Sequence, residues 1–228
     1  MNDRIQVAGR NAGTSNLEID DDARRVLHNT WNLLALTLLF SSGTALLSMA
    51  NDWPHPGLVG TLVGYFGLLF LTYATRNSAW GLLSVFALTG FMGLTLGPII
   101  SMYLEVFSNG HQLVVSAMGT TAVVFLGLSA YATVTKRDFS FLGPMLFVGI
   151  LVAFILGLAA VIFNLSALSL AVSGMFSLLM CGLILFQTQQ IIRGGERNYI
   201  MATVTLFVSI YNLFLSLLQL FGFFFGEE

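Results

Sequence analysis

Long apolar runs follow one another along almost the whole chain, and only short polar connections separate them. A helix that crosses the roughly 30 Å hydrocarbon layer of a membrane needs about 20 mostly apolar residues. Seven runs meet this requirement after a polar beginning. The pattern therefore predicts an all-α membrane protein, a bundle of seven transmembrane helices with spans near residues 31–50, 57–75, 79–103, 113–134, 140–163, 167–192 and 199–225.

The composition agrees with a membrane protein, because 56% of the 228 residues are hydrophobic and only 9% are charged, whereas soluble domains carry about 25% charged residues. Residues 1–25 are polar and contain no apolar core of a signal peptide. We interpret them as a flexible cytoplasmic tail before a single domain, residues 26–228. Three aspartates, Asp20, Asp21 and Asp22, indicate the start of a short cytoplasmic helix that leads into span one.

The basic residues lie on one side of the predicted bundle. They occur in the tail and in the connections after spans two, four and six: Arg4, Arg10, Arg24, Arg25, Arg76, Lys136, Arg137, Arg193 and Arg197. The opposite connections contain no Lys or Arg. By the positive-inside rule, the N-terminus is expected in the cytoplasm, and seven crossings place the C-terminus on the external or periplasmic side.

Residues that commonly carry catalysis are missing from the interior of the predicted spans. The candidates lie in the tail, in connections or at a span end: His28, His55, His111, Lys136 and Glu105. This placement argues against a metal site, a retinal Schiff base and a paired-aspartate protease. The single cysteine, Cys181, forms no intrachain disulfide, and we interpret it as a packing residue. We predict no enzymatic activity, no metal and no cofactor.

Two glycine patterns indicate special helix packing. In span two, Gly57, Gly60, Gly64 and Gly67 follow one another at spacings of three, four and three, which places them on one face. Small residues on one face allow close approach of another membrane helix, so we predict a close-packing stripe. In span three, Gly97 precedes Pro98, and a proline inside a helix predicts a kink there.

Polar residues follow one face of the last span, namely Thr205, Ser209, Asn212, Ser216 and Gln219. This stripe predicts that the last helix lies at the centre of the bundle, because polar groups avoid lipid. A short turn connects it to the end of span six, where we expect Gln187, Thr188 and Gln190 beside the Thr205–Ser209 part of the stripe. Two interpretations remain open. The groups hydrogen-bond one another and fix the helix register, or they line a gated polar path for small cations or protons.

Four segments resemble the Bax inhibitor-1 family in their joint order: RVLHNTW (25–31), GFMGLTLGPII (90–100), FQTQQIIRGGERNYI (186–200) and LFVSIYNLFLSLL (206–218). The resemblance implies a seven-helix fold whose last helix is enclosed by the other six. Members described as pH-sensitive calcium leaks carry two aspartates, at positions that match Gln187 and Ser209 here. Neither residue ionises, so a proton switch of that kind is not expected in this chain.

The resemblance is strongest to bacterial members that modulate the FtsH protease. It implies a protein of the bacterial inner membrane that associates with an FtsH-type ATP-dependent protease and its prohibitin-like scaffold. Our leading hypothesis is a regulator that restrains this protease, and the alternative is a cation (Ca²⁺/H⁺) leak channel or transporter. Residues 1–19 then serve either as a handle for the protease or as an ordinary solvated terminus. No nucleic-acid partner is expected.

Overall fold

Seven α-helices make up the computed structural model, which describes residues 21–135 and 137–227. Each helix is long and apolar enough to cross a membrane. The predicted all-α fold with seven transmembrane helices is confirmed. The helices are α1 (Asp21–Ala50), α2 (Gly57–Thr75), α3 (Trp80–Val106), α4 (Gly110–Val134), α5 (Leu142–Ile162), α6 (Ser166–Ile192) and α7 (Tyr199–Phe225).

The first helix begins earlier than the sequence predicted. α1 is one continuous helix of 30 residues, so residues 21–25, assigned to the tail, form its first turn, and the expected helix start near Asp21 and Asp22 leads directly into span one. Asp21 and Asp22 lie in the first turn, where the partial positive charge of a helix N-terminus stabilises carboxylates. Asp20 and the rest of the predicted tail, residues 1–20, lie outside the described residues.

Helices α3 and α7 have the largest buried share, whereas α2 and α5 have the smallest. α7 packs against α1, α3, α4 and α6, while α2 packs mainly against α3 and α5 mainly against α6. The interior is therefore built around α3, α6 and α7, and α2 and α5 lie at the periphery. Enclosure of α7 by all six other helices stays a prediction.

Small residues of α3 allow the backbone of α1 to come close. A side chain at Gly93 would collide with the carbonyl oxygen of Ser41, and one at Gly97 would lie 2.8 Å from the carbonyl oxygen of Ala45. Pro98 has no N–H for the carbonyl of Leu94, and the hydroxyl of Ser48 donates to that carbonyl instead, at 3.0 Å. α3 continues through Pro98 to Val106, and the kink at Gly97 and Pro98 stays a prediction.

The close-packing stripe predicted in α2 is wrong for three of its four glycines. A side chain at Gly57 or Gly67 would meet no atom within 4 Å, and one at Gly60 would meet only the preceding Pro56, 3.1 Å away. Gly64 alone approaches another helix, where it contacts the ring of Phe91. The glycine spacing places the four residues on one face, but α2 is peripheral and most of that face meets no neighbouring backbone.

The two ends of the bundle differ in charge. One end holds the start of α1 and the α2–α3, α4–α5 and α6–α7 connections, and we call it the basic end. Every arginine in the described part of the chain lies there: Arg24, Arg25, Arg76, Arg137, Arg193 and Arg197. The opposite end carries Asp52, Glu105 and Glu227 and, among residues 21–135 and 137–227, no Lys or Arg. This difference is the one on which the positive-inside rule depends.

Candidate functional site

Gln189 connects the end of α6 to the α4–α5 connection. Its side chain is buried, its Oε1 accepts a hydrogen bond from the N–H of Phe139 at 2.7 Å, and its Nε2 donates to the carbonyl of Arg137 at 2.5 Å. Irregular backbone beside a membrane needs partners for its polar groups. Gln189 supplies one acceptor and one donor, so it holds a segment that has no helical hydrogen bonds of its own.

Arg193 reinforces the same contact at the surface. Its guanidinium donates to the carbonyl of Arg137 at 2.7 Å and pairs with Asp138 at 3.1 Å. The hydroxyl and the backbone N–H of Ser140 both donate to Asp138 and, together with Arg193, lower the pKa of this carboxyl. Because the paired side chains are 34% and 60% exposed, water screens the ion pair and it adds little stability. The buried amide of Gln189 is the stronger connection.

Asn198 caps α7 and also binds the α2–α3 connection. Its Oδ1 accepts hydrogen bonds from the N–H groups of Ile200 and Met201 at 3.0 and 3.1 Å. Its Nδ2 donates to the carbonyl of Arg76 at 3.1 Å and to Oδ1 of Asn77 at 3.0 Å. All three connections of the basic end are therefore joined by side chains. We call this set the basic-end network: Gln189, Arg193, Asn198 and their partners.

A second group of polar side chains lies inside the bundle, about one helical turn from the basic end. We call it the polar cluster: Thr30 of α1, Ser129 of α4, and Gln187 and Thr188 of α6. All four residues are buried, and each has a buried side-chain atom without a hydrogen-bond partner in the described chain: Thr30 Oγ1, Ser129 Oγ, Gln187 Nε2 and Thr188 Oγ1. Buried polar groups are normally hydrogen-bonded, so the cluster is the most unusual part of this interior.

Helix α7 reaches the level of the polar cluster at Thr203. The Thr203 hydroxyl donates to the carbonyl of Tyr199 at 2.8 Å and lies 3.4 Å from the carbonyl of Thr30. Thr203 is completely buried. The first turns of α7 thus contact α1 at Thr30, one member of the polar cluster.

The polar stripe of α7 faces the interior, as the sequence predicted, but its members bond mostly to their own helix. Ser209 and Ser216 are buried, and Thr205 and Asn212 are half-buried. The Ser209 hydroxyl donates to the carbonyl of Thr205 at 2.7 Å, and the Asn212 amide donates to the carbonyl of Val208 at 2.8 Å. In the described chain no hydrogen bond joins these side chains to Gln187 or Gln190. Ser209 and Asn212 therefore do not join α7 to the end of α6 by hydrogen bonds.

Gln190 and Gln219 lie apart from the polar cluster. Gln190 is half-buried at the end of α6, and its carbonyl accepts from the N–H of Gly195 at 2.8 Å in the tight α6–α7 turn. Gln219 lies near the opposite end, where its amide accepts from Ser173 at 2.5 Å and donates to Ser169 at 2.7 Å. Gln219 is the stripe residue that bonds to another helix.

Sequence reasoning did not single out several residues of this interior: Thr30, Ser129, Thr203, Thr95 and Tyr211. Ser129, Thr203, Thr95 and Tyr211 are single polar residues in mostly apolar spans, and Thr30 lies in the polar segment just before span one. Such a residue is as typical of simple packing as of a site. Only the tertiary structure identifies these residues, because their role depends on which helices pack against one another at their position.

The interior contains polar groups but few charges. Helices α6 and α7 contain no Asp, Glu, Lys, Arg or His. In the part of the chain that the structure describes, no group of three or more His, Cys, Asp or Glu residues is arranged to hold a metal ion. The side chains of Gln187 and Ser209 are buried. These residues offer hydrogen bonds rather than charge to anything that they contact.

Seven apolar helices, one arginine-rich end and an uncharged polar interior define a multi-pass membrane protein. The chain belongs to the Bax inhibitor-1 family, because the family model described as "Inhibitor of apoptosis-promoting Bax1" matches residues 23–226. The resemblance first drawn from four short segments is confirmed.

Bacterial relatives match over nearly their whole length. The chain is 51% identical over 199 residues to the "Modulator of FtsH protease YccA" of Escherichia coli K12, covering 87% of this chain and 90% of that protein. It is 53% identical over 203 residues to an uncharacterized protein of Pseudomonas aeruginosa, covering 89% and 91%. A membrane protein of Vibrio cholerae is 40% identical over 92% of this chain and 94% of its own.

Proposed function

We propose that this protein is a modulator of an FtsH-type membrane protease, which it binds and restrains from attacking other membrane proteins. The observation that supports this most strongly is the 51% identity to the Escherichia coli modulator over 90% of that protein's length. We propose the bacterial inner membrane as its location and no catalytic activity of its own. A prohibitin-like scaffold is a further proposed partner, on the ground of the family resemblance.

The basic end is the surface that we assign to the protease. We infer that it faces the cytoplasm, because it holds all the arginines of the described chain. Its three connections are held by Gln189, Arg193 and Asn198. A surface that is ordered before binding loses less conformational entropy when a partner docks. The network therefore offers a preformed platform on the side where α1 begins.

The tail is a second proposed contact. Residues 1–20 lie outside the described residues, but their sequence is polar and lacks apolar periodicity. We propose that the protease engages this segment as a handle. Removal of residues 2–20 is then expected to change either the turnover of the protein or its association with the protease.

A cation leak is less well supported. The positions that carry aspartates in pH-sensitive family members are Gln187 and Ser209, and both are buried and neutral in this chain. Neutral amide and hydroxyl groups attract Ca²⁺ less than carboxylates do. The hydrogen-bonding interior has no charged group on α6 or α7 to attract a cation.

Co-purification from mildly solubilised membranes tests the proposal. We expect an FtsH-type protease to accompany the tagged wild-type protein, and overproduction to lengthen the half-life of a membrane protein that this protease degrades. A variant with Arg137→Gln and Arg197→Gln should lose most of both effects, since both residues are exposed at the basic end. The matched control has Glu105→Gln and Glu227→Gln at the opposite end, and it should behave as wild type.

Two results would contradict the proposal. One is the absence of the protease from the purified complex together with unchanged substrate turnover. The other is cation flux into liposomes by the purified protein alone, at a rate that Gln187→Leu and Asn212→Leu abolish. The second result would favour the channel alternative instead.

A further inference from the structure

A cavity of about 470 Å³ opens between the two peripheral helices, α2 and α5, and α3, α6 and α7 form its inner wall. Seven of its twenty lining residues are aromatic. On the lipid-facing side, the rings of Phe66 and Phe154 meet edge to face with centroids 5.8 Å apart. The helices that flank this opening, α2 and α5, are the least buried of the seven, so a molecule dissolved in the membrane is the natural occupant.

The inner wall of the cavity is polar at mid-membrane depth. The Thr95 hydroxyl donates to the carbonyl of Met92 at 2.8 Å, so its hydrogen is already used. In the 3.1 Å contact of Thr95 with the Tyr211 hydroxyl, Tyr211 is therefore the donor, and the Tyr211 oxygen retains its lone pairs for another partner.

Unused hydrogen-bond donors also face this space. Asn212 uses one amide hydrogen for the carbonyl of Val208, which leaves the second free. The Tyr65 hydroxyl makes no hydrogen bond within the described chain, and the buried Thr61 hydroxyl has no partner there. All three residues line the cavity, which thus offers several donors in a surrounding of rings and aliphatic chains.

The charge of the lining selects the chemistry of the occupant. Among the residues that the structure describes, no Asp, Glu, Lys or Arg lines the cavity, and the only imidazole there is that of His55, near the opposite end. A phosphate or carboxylate inside would have no cation to pair with, and burial of an unpaired charge is costly. A phospholipid acyl chain would leave the donors of Tyr65 and Asn212 without an acceptor. A neutral ring with carbonyl acceptors satisfies both conditions.

We propose that this cavity binds a neutral, membrane-dissolved carbonyl ring compound of the quinone type. The ring packs among the aromatic side chains, which favour offset or edge-to-face contacts with another ring. A carbonyl oxygen accepts hydrogen bonds from Tyr65 and Asn212, and the apolar tail leaves between α2 and α5. This site lies apart from the basic-end network and does not depend on the proposed protease partner.

Photolabelling of the purified full-length protein in detergent tests the site. The probe is an azido derivative of ubiquinone, competed with decylubiquinone or with phosphatidylglycerol, and mass spectrometry locates the label. We expect labelled peptides from α2, α5 or α7 and competition by decylubiquinone alone. Tyr65→Phe with Asn212→Leu should weaken binding about tenfold, as expected when about 1.4 kcal/mol of hydrogen bonding is lost.

Tryptophan variants provide a matched control. Ile150→Trp fills the cavity, whereas Leu178→Trp adds the same ring on the lipid-facing side of α6, where Leu178 is 76% exposed. We expect the first variant to lose labelling and the second to retain it. If Ile150→Trp does not fold, the double variant Tyr65→Phe with Asn212→Leu decides the question. Equal labelling of all folded variants, or equal competition by phosphatidylglycerol, would overturn the proposal.

Discussion

Two glutamines that lie two residues apart on α6 have opposite surroundings. Gln189, in the basic-end network, satisfies an N–H and a carbonyl of the α4–α5 connection. Gln187, in the polar cluster, is equally hidden from solvent, but its Nε2 has no partner in the described chain. Two residues correspond to a rotation of about 200° around a helix, so the two side chains face different parts of the molecule.

The difference shows why burial alone does not identify a structural polar residue. Gln189 faces irregular backbone, which needs external donors and acceptors. Gln187 is buried within the helical part of the bundle, where backbone groups already bond within each helix. The glutamine at position 189 stabilises the fold. The glutamine at position 187 lowers stability, and its amide is available for another role. Four predictions test this contrast, in decreasing order of expected effect.

Gln189→Leu should lower the free energy of unfolding by about 2 kcal/mol, because the N–H of Phe139 loses its partner and the carbonyl of Arg137 keeps only the exposed guanidinium of Arg193. Thermal unfolding in detergent measures the change. The control is Gln190→Leu, whose side chain makes no hydrogen bond within the described residues and which should change stability by less than about 0.5 kcal/mol. Equal losses in the two variants would show that Gln189 is not a specific connection.

Asn198→Ala should cost about 1.5 kcal/mol, because it removes both the cap of α7 and the bonds to the α2–α3 connection. Asn198→Asp keeps the capping acceptor and loses only the donor, so it should recover about half of that loss. The same unfolding assay measures both. If Asn198→Asp is as unstable as Asn198→Ala, the cap contributes little and the network model needs revision at this position.

Gln187→Leu should leave stability unchanged or raise it by up to about 1 kcal/mol, because it removes a buried donor that has no partner. Thr188→Val is the matched variant in the same cluster and should behave alike. A loss of about 2 kcal/mol or more in either variant would mean that the polar cluster is as well bonded as the basic-end network.

Asp138→Asn should have the smallest effect, because the carboxyl is exposed and water screens its pair with Arg193. Ser140 and Arg193 lower the pKa of Asp138 from 3.8, so its contribution is complete above that pH and is lost as the pH falls through the lowered value. The difference in melting temperature between variant and wild type should stay constant from pH 8 to 5 and shrink under more acidic conditions. A change between pH 8 and 5 would point to another titrating group.

The glycines show how far spacing alone can predict packing. Gly57 to Gly67 in α2 and Gly90 to Gly97 in α3 have similar intervals, but only the α2 glycines were predicted to form a small-residue face. Close approach to α1 occurs at Gly93 and Gly97, whereas Gly67 meets nothing within 4 Å. Spacing gives the face of a helix, but the neighbour of that face depends on the arrangement of the whole bundle.

The sequence predicted only part of the candidate site, because a residue pattern gives the direction of a side chain but not its partner. The inward direction of Ser209 and Ser216 follows from a polar stripe on an apolar helix, and both side chains are buried. The hydrogen-bond partners of the stripe could not be predicted from the sequence, because serine and asparagine side chains can bond to the carbonyl four residues earlier on their own helix. Ser209 and Asn212 do so, which leaves the polar cluster of α6 without them.

The sequence by itself determined the membrane class, the number of helices, the basic end and the neutral character of α6 and α7. These properties are sums over local residues, and they need no knowledge of neighbours. The tertiary structure decided which polar atoms are bonded, since a hydrogen bond depends on tenths of an ångström between atoms on different elements. Only packing of all seven helices joined Gln189 to the α4–α5 connection and left the buried Nε2 of Gln187 without a partner in the described chain.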